Sequence, residues 1–251
     1  MSEIHILDKG VYAVTNLYHP IASVNAGFMT TKNFVVHIDA GMTAIDGEYL
    51  LRASTEKLGK KPKEIWLVLT HNHSDHLFGM GAIKGAGAKV IAHRWVRQFL
   101  LHRTLPTFRR VIDTYKDFIV KKIAETKSQD VEQIEKTLGN VKLALPDIIF
   151  DEDFALKLDE EDEIELLYTP GHVPGEISVY HKVSKVLFAG DTIYAGMPPT
   201  TRFGGPKEWK QWIKSLQKLQ ELEIKKIVPG HGNVCEKDEI QRNIEYLEKM
   251  L

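Results

Sequence analysis

The sequence predicts an α+β fold in which two packed β-sheets are flanked by helices. Two observations support this prediction: clusters of short strand signals alternate with amphipathic helical stretches, and the pattern occurs twice along the chain. The 251 residues suit one large domain, or two fused halves that share a core, and 43% of them are hydrophobic. Residues 1–251 are therefore expected to bury a substantial apolar core.

In the first half, apolar runs of strand length are separated by turn residues. A helix is predicted at residues 45–58, because the turn-like sequence Gly59-Lys60-Lys61-Pro62 follows it. The predicted strands cover residues 11–17, 23–30, 33–38, 65–69 and 90–92, with a hairpin around Thr31-Lys32-Asn33.

The second half is preceded by a stretch of different character. Apolar side chains within residues 97–140 repeat at helical spacing, which predicts a helical insertion between two β-rich halves. Amphipathic helices are also predicted at residues 209–219 and 240–251. The predicted strands cover residues 163–169, 177–181, 186–189 and 226–229.

Composition and charge argue against a membrane protein or a nucleic-acid-binding protein. The formal net charge of −1 gives no overall attraction to nucleic acid or anionic lipid. No apolar run approaches the roughly 18 residues of a membrane span, and the N-terminus lacks the apolar segment of a secretory signal. Because Cys235 is the one cysteine, no intramolecular disulfide can form, and we expect a soluble, cytoplasmic protein.

The strongest local signal follows the predicted strand at residues 65–69. It is Thr70-His71-Asn72-His73-Ser74-Asp75-His76, which places four potential metal ligands within six residues. On a continuous strand, His71, His73 and Asp75 would share one face. On a loop and first helical turn, Asp75 and His76 can instead turn towards a second metal. Burying four such groups without a partner would be costly, so the motif predicts a metal site.

Three further candidates each lie beside a glycine after an apolar strand signal. A neighbouring glycine permits a tight turn and a close approach of the backbone. Each signal is weak alone, but together and in this order they indicate one shared site. The candidates are His172 in Thr169-Pro170-Gly171-His172, Asp191 in Ala189-Gly190-Asp191-Thr192, and His231 in Val228-Pro229-Gly230-His231-Gly232.

The ordered pattern His-x-His-x-Asp-His, then His, Asp and His, resembles the metallo-β-lactamase superfamily over nearly the whole chain. The resemblance implies a four-layer αββα sandwich, a single domain of two similar halves over residues 1–251 with the helical insertion around residues 97–140. It also implies a supporting rather than a ligating role for Asp39, in Ile38-Asp39-Ala40-Gly41.

The same resemblance implies two divalent metal ions, with zinc expected and iron or manganese also suited to these ligands. The first ion would be held by His71, His73 and His172. The second would be held by Asp75, His76 and His231, with Asp191 bridging the two ions. The bridging aspartate is similar to that of the hydrolase branches, and His73 in place of a glutamate argues against the flavo-diiron branch.

Such a centre would supply a nucleophile without a serine or cysteine. Two cations about 3.5–4 Å apart can share a hydroxide and lower its pKa to near neutrality. Asp75 can hold the second metal and orient the hydroxide proton, which makes it a catalytic candidate. We therefore expect a metal-dependent hydrolase that cleaves a small ester, thioester or lactone.

Tyr194 is the second catalytic candidate, because it lies three residues after Asp191. That spacing resembles acyl-homoserine lactonases, in which a tyrosine so placed contacts the substrate; the alternative is an aromatic packing residue. His93 is more simply explained as a loop histidine, and Arg202 as a surface residue that could reach a substrate carboxylate or phosphate. Cys235 is interpreted as a small packing residue.

The stretch from residue 94 to residue 127 has nine Lys or Arg residues and three Asp or Glu residues. It could overhang the site and attract an anionic small-molecule substrate. A solvated helix face accounts for the same charges, and both interpretations stay open.

Other functions of the same fold remain open. A nuclease is disfavoured because the dense basic and aromatic surface that nucleic acid requires is not evident. A mononuclear-iron oxygenase similar to persulfide dioxygenases would use part of the ligand set, and the complete set argues against a non-catalytic binding module. Hydroxyacylglutathione hydrolases normally carry C-terminal glutathione contacts; here about 20 residues follow His231, a departure that disfavours glutathione thioesters.

Overall fold

The computed structural model describes residues 2–17, 23–102, 141–160 and 162–251, which form two β-sheets with helices on their outer faces. The first sheet has seven strands in the order β1-β2-β3-β4-β5-β6-β7; β1 to β4 pair antiparallel and β4 to β7 pair parallel. Its strands are β1 (Glu3–Asp8), β2 (Val11–Leu17), β3 (Val24–Thr30), β4 (Phe34–Ile38), β5 (Glu64–Leu69), β6 (Lys89–His93) and β7 (Ile148–Phe150).

The second sheet has five strands in the order β12-β11-β10-β9-β8, antiparallel except for the parallel pair β11 and β12. Its strands are β8 (Phe154–Lys157), β9 (Glu163–Tyr168), β10 (Ile177–His181), β11 (Val186–Tyr194) and β12 (Lys226–His231). The described helices are α1 (Ala44–Leu58), α2 (Ser74–Leu77), α3 (Met80–Gly85), α4 (Arg94–His102), α5 (Pro206–Gln220) and α6 (Asp238–Met250).

Three apolar cores separate four layers of secondary structure. The first joins the helices that follow β4, β5 and β6 to the first sheet, where Leu50 packs with Leu67. The second lies between the sheets and contains Val68 and Phe188, and the third packs Trp212 and its helix on the second sheet. Because successive strand residues face opposite sides, Leu67 and Val68 belong to different cores. The predicted αββα sandwich is confirmed.

Helix α1 matches its prediction within one residue, and local chemistry explains both of its ends. At the start, the Thr43 hydroxyl accepts a hydrogen bond from the Asp46 amide at 3.1 Å, and Asp46 Oδ2 accepts one from the Thr43 amide at 2.9 Å. At the end, Gly59 adopts a φ of 72°, which favours glycine and closes the last helical turn.

Strand β11 is longer than the predicted strand at residues 186–189. All nine of its residues are buried, and its pairing with β12 continues to the contact of Tyr194 with His231. The elements β1, β7, β8 and α3 were not predicted, because the strands bury few apolar positions and α3 contains two glycines. Of the predicted insertion, residues 103–140 lie outside the described residues. No helix of the described ranges is long and apolar enough to cross a membrane.

Close packing of the sheets fixes the edge at which the candidate site lies. A Cβ atom added to Gly27 would come within 2.1 Å of the Phe188 ring on the opposite sheet. The Asn25 side chain donates hydrogen bonds to the carbonyls of Pro229 and Gly232, at 2.9 and 2.7 Å. These contacts hold the end of β12 firmly against β3.

Candidate metal centre

The first motif lies on a loop and a short helix at the end of β5. His71 and His73 follow the strand on the loop, whereas Asp75 and His76 belong to helix α2. Because α2 begins directly after His73, the alternative in which Asp75 continues an extended face is wrong. The helical turn instead directs Asp75 and His76 to a separate position, as the second alternative predicted.

The remaining candidates come from the second sheet. His172 follows β9, His231 is the last residue of β12, and Asp191 lies inside β11. The expectation that Asp191 follows a strand is therefore wrong, since β11 continues past it beside β12. The glycine before His231 is still required, because a Cβ atom on Gly230 would lie 2.0 Å from Asp191 Oδ1.

The first group of candidate ligands contains His71, His73, His172 and Asp191, whose ligand atoms lie within 4.8 Å of one another. His172 Nε2 is 3.1 Å from His73 Nδ1 and 3.2 Å from Asp191 Oδ2. His71 Nε2 is 3.8 Å from the same oxygen. Three imidazole nitrogens and one carboxylate oxygen thus converge, which suits a first-row divalent ion.

The second group contains Asp75, His76 and His231, again within 4.8 Å. Asp75 Oδ2 is 3.3 Å from His231 Nε2 and 3.8 Å from His76 Nε2. Asp191 reaches this group through its other oxygen, since Oδ1 is 3.1 Å from His76 Nε2 and 3.4 Å from His231 Nε2. All seven predicted side chains therefore meet, with Asp191 between the two groups.

Burial and unpaired polar atoms show that these groups suit bound cations. His71 Nε2, His76 Nε2 and Asp191 Oδ1 are buried, and none of them has a hydrogen bond of acceptable geometry. Buried polar atoms without partners cost free energy, so proteins rarely leave several together. Two divalent ions would satisfy all three atoms, and nitrogen and oxygen ligands of this kind accept several such metals.

Asp39 supports the second group from behind. Its Oδ2 lies 2.7 Å from His76 Nδ1, which turns His76 Nε2 towards Asp75 and Asp191. The Thr70 amide and hydroxyl each donate to Asp39 at 2.8 Å, so the carboxylate is itself fixed. A carboxylate behind a histidine commonly orients a metal ligand, and the geometry is consistent with the supporting role predicted for Asp39.

Glu176 is the functional candidate that the sequence reasoning missed. It is fully buried; its Oε1 accepts a hydrogen bond from the Asp191 amide at 3.0 Å, and its Oε2 is 3.5 Å from His71 Nδ1. It therefore contacts one candidate ligand from each sheet region. The available signal was an acidic residue four positions after His172, immediately before the fully buried strand β10.

Tyr194 is buried and faces the shared carboxylate. Its hydroxyl donates a 2.5 Å hydrogen bond to Asp191 Oδ2, and its ring stacks on His231 with 5.2 Å between ring centroids. Asn243 fixes the Tyr194 backbone from α6, through bonds of 3.0 Å to the amide and 2.8 Å to the carbonyl. The side chain thus lies within the centre, beside both groups.

His93 and Cys235 lie in neither group of candidate ligands. His93 Nε2 is 3.0 Å from the Asp151 carbonyl, and its Nδ1 accepts a hydrogen bond from the Trp95 amide at 3.2 Å. Cys235 packs in the third core and pairs through its backbone with Ile227. Burial raises the pKa of the Cys235 thiol to about 12, which agrees with its interpretation as a packing residue.

The basic stretch is described only at its beginning. Arg94 forms an ion pair with Asp151 at 2.5 Å, so this residue is already neutralised. Most of the other bases lie among residues 103–127, outside the described residues. Arg202 is exposed, and its guanidinium lies 4.6 Å from the centroid of the Phe203 ring.

Comparison with known families accounts for most of the chain. The family model for the metallo-beta-lactamase superfamily matches residues 20–231. This chain belongs to that superfamily. The matched range contains both groups of candidate ligands.

Known relatives of this superfamily member are distant in sequence. The probable metallo-hydrolase YflN of Bacillus subtilis is 24% identical over 242 residues, covering 89% of this chain and 84% of YflN. The beta-lactamase-like protein 2 homolog of Caenorhabditis elegans is 25% identical over 183 residues (73% and 47%). A hydroxyacylglutathione hydrolase of Buchnera aphidicola is 28% identical over 142 residues (56% and 38%). The chain thus spans less than half of the last two proteins.

A solved structure supports the fold of the whole chain. A metallo-beta-lactamase from Pontibacter korlensis superposes with a TM-score of 0.69 over 99% of both chains. The two sequences are 21% identical, so the likeness establishes the four-layer architecture alone.

Proposed function

We propose that this protein is a metal-dependent hydrolase that cleaves a small ester, thioester or lactone. One observation carries the proposal: the two oxygens of Asp191 face different groups of candidate ligands. A carboxylate shared between two ion positions is suited to two-metal hydrolysis. The hydroxyacylglutathione hydrolase among the relatives supports thioesters as one substrate class.

Two divalent ions, zinc by preference, would acidify a water molecule and polarise the substrate carbonyl when bound. Asp191 would contact both ions. His71, His73 and His172 would hold the first ion, and Asp75, His76 and His231 would hold the second.

Asp75 would orient the attacking water during hydrolysis, and Tyr194 would donate a hydrogen bond to developing negative charge. Burial alone would raise the pKa of Asp75, but His76 and His231 lower it well below its usual value. Its carboxylate therefore stays ionised at neutral pH, suited to holding a cation and to orienting the proton of an attacking water by accepting a hydrogen bond from it. Burial and the nearby Asp191 raise the pKa of Tyr194 well above its usual value. Its hydroxyl therefore remains a donor at neutral pH, suited to stabilising negative charge.

The test is hydrolysis of a matched substrate panel by metal-replete protein. The panel contains an aryl ester, an acyl thioester, a lactone and an aryl phosphodiester, each assayed before and after removal of metal by a chelator. We expect turnover of at least one of the three acyl compounds, its loss on chelation and its recovery when zinc is restored.

His93→Ala is the matched control for a buried histidine outside both groups, and it should retain metal and activity. Hydrolysis of the phosphodiester alone would favour a nuclease. A protein that binds a single iron and oxidises persulfides would replace the proposal with the oxygenase alternative.

A further inference from the structure

The candidate centre is open to solvent on the side of His73. Six of the seven candidate ligands are buried, whereas His73 is partly exposed, as are its chain neighbours Asn72 and Ser74. Among the candidate ligands, His73 is therefore the one that meets solvent most. Side chains next to this imidazole are the ones placed to select the substrate.

Phe203 forms the wall beside that opening. Its ring centroid is 4.3 Å from that of His73 and 5.4 Å from that of His172, and the side chain remains 45% exposed. The ring therefore contacts two candidate ligands on one side and solvent on the other. It offers an apolar surface to the part of a substrate that lies next to the reacting carbonyl.

Arg202 places a positive charge on the same wall. Its guanidinium lies 4.6 Å from the Phe203 ring centroid, and the residue is exposed. Within the described ranges, no carboxylate forms an ion pair with it, in contrast to the neutralised Arg94. A guanidinium stacked on a ring is ordered by that contact and keeps its N–H groups available for an anion.

The backbone holds these two side chains in a fixed turn. Arg202 and Phe203 are the central residues of a turn closed by a 3.4 Å hydrogen bond from the Gly204 amide to the Thr201 carbonyl. The Trp209 indole donates to the same carbonyl at 3.4 Å, which ties the turn to the first turn of α5. A site on an anchored turn loses less conformational entropy when it binds a ligand.

We propose that Arg202 and Phe203 form a subsite for an anionic acyl group, so that the preferred substrates carry a carboxylate or phosphate on the acyl chain. The inference rests on the proposed hydrolase function and names its substrate class. Arg202 pairs with the anion, and Phe203 packs against the chain between the anion and the reacting carbonyl. Neither side chain takes part in the bond-breaking step.

The kinetic test compares 4-nitrophenyl hydrogen adipate with 4-nitrophenyl hexanoate, which release the same phenol and differ in one carboxylate. Arg202→Gln should lower kcat/KM for the adipate by about fivefold to tenfold, mainly through KM, and leave the hexanoate unchanged. Arg202→Lys should retain part of the preference. Arg94→Gln, which removes an exposed arginine that is already paired, controls for the loss of net charge.

A binding test does not depend on turnover. Calorimetry measures the affinity of zinc-loaded protein for the anilide of adipic acid, an uncleaved anion, and for hexananilide, its neutral counterpart. We expect Arg202→Gln to weaken only the anionic ligand, and Phe203→Leu to weaken both. Equal affinities of wild type and Arg202→Gln for the anion would overturn the subsite. If wild type cleaves neither these esters nor any acyl compound of the substrate panel but shows the binding contrast, the hydrolase proposal fails and the subsite stands.

Discussion

The two groups of candidate ligands share Asp191 but differ in the protonation of their histidines. In the first, burial lowers the pKa of His73 to about 3 and that of His71 well below its usual value. In the second, burial has the same tendency, but the carboxylates outweigh it. They raise the pKa of His231 to about 10 and that of His76 well above its usual value. The first group is rich in neutral imidazole, and the second holds protons between carboxylates.

This difference predicts that metal binding depends on pH differently in the two groups. An imidazole must be neutral to bind a cation. An ion that enters the first group meets His71 and His73 already neutral, whereas an ion that enters the second must displace the protons of His76 and His231. Metal binding in the second group should therefore weaken more steeply as the pH falls.

The largest expected effect comes from Asp191→Ala, which removes the carboxylate common to both groups. We expect kcat to fall at least about 100-fold, the order of loss found when a main electrostatic stabiliser is removed. Metal content, measured by elemental analysis, should fall as well. His93→Ala is the matched control, and equal losses in the two variants would show that the shared carboxylate is not central.

Glu176→Gln tests whether the first group depends on its buried support. The substitution keeps the size of the side chain but replaces the buried carboxyl group near His71 Nδ1 and beside the Asp191 amide with an amide. Loss of such a supporting partner typically costs about 10- to 100-fold in metal affinity, which competition with a chelating dye would measure. Glu163→Gln, at a partly exposed glutamate paired with Lys182, is the control. Unchanged affinity in Glu176→Gln would assign that residue to packing.

Tyr194→Phe tests the hydroxyl that contacts the shared carboxylate. The ring and its stacking on His231 are kept, so the folded structure should be preserved. We expect kcat to fall about 5- to 30-fold with a small change in Tm, since an auxiliary donor contributes about 1–2 kcal/mol to charge stabilisation. Full activity would make Tyr194 a packing residue, and would remove the local support for a lactonase-like reaction.

The smallest expected effect is on stability at low pH and concerns His37, a buried histidine whose pKa no nearby carboxylate raises. Its Nε2 lies 3.3 Å from the Ser54 hydroxyl, its Nδ1 has no hydrogen-bond partner, and burial lowers its pKa to about 3. Between the unfolded pKa of 6.5 and this value, the unfolded chain binds a proton that the folded protein does not. This group therefore leaves the free energy of unfolding unchanged above pH 6.5 and lowers it progressively as the pH falls from 6.5 towards 3.

His37→Leu should remove this loss. The free energy of unfolding of wild type should drop by about 2 kcal/mol more than that of the variant between neutral pH and about pH 5. Urea denaturation at the two pH values measures the difference, and His5→Leu, at a partly exposed histidine, is the control. A variant with the acid sensitivity of wild type would contradict the assignment to His37.

The convergence of the first motif's side chains on one centre could be predicted from the sequence, because these residues are neighbours in the chain. Four candidates within six residues form a local signal, and the end of β5 and the turn of α2 complete their placement without distant contacts. The order of His172, Asp191 and His231 then indicated a shared centre. The structure shows that they converge from three separate parts of the second sheet.

Other features depend on pairs that are distant in the chain. Strand β11 extends through Asp191 because β12 pairs beside it. Glu176 is a candidate supporting residue only because the fold brings its carboxyl group next to His71. The contact of Phe203 with His73 likewise joins two loops that no sequence pattern connects. Periodicity reports burial along one segment, so it could not reveal these contacts.

The most direct test of the two-group account is a zinc titration of metal-free protein at about pH 6 and about pH 8. We expect two ions per chain, with the weaker step losing more affinity on acidification, by about tenfold per pH unit for each proton displaced. Replacing His231 with Ala should abolish that pH-sensitive step and leave the other. A single ion per chain, or two steps with the same pH dependence, would contradict the account.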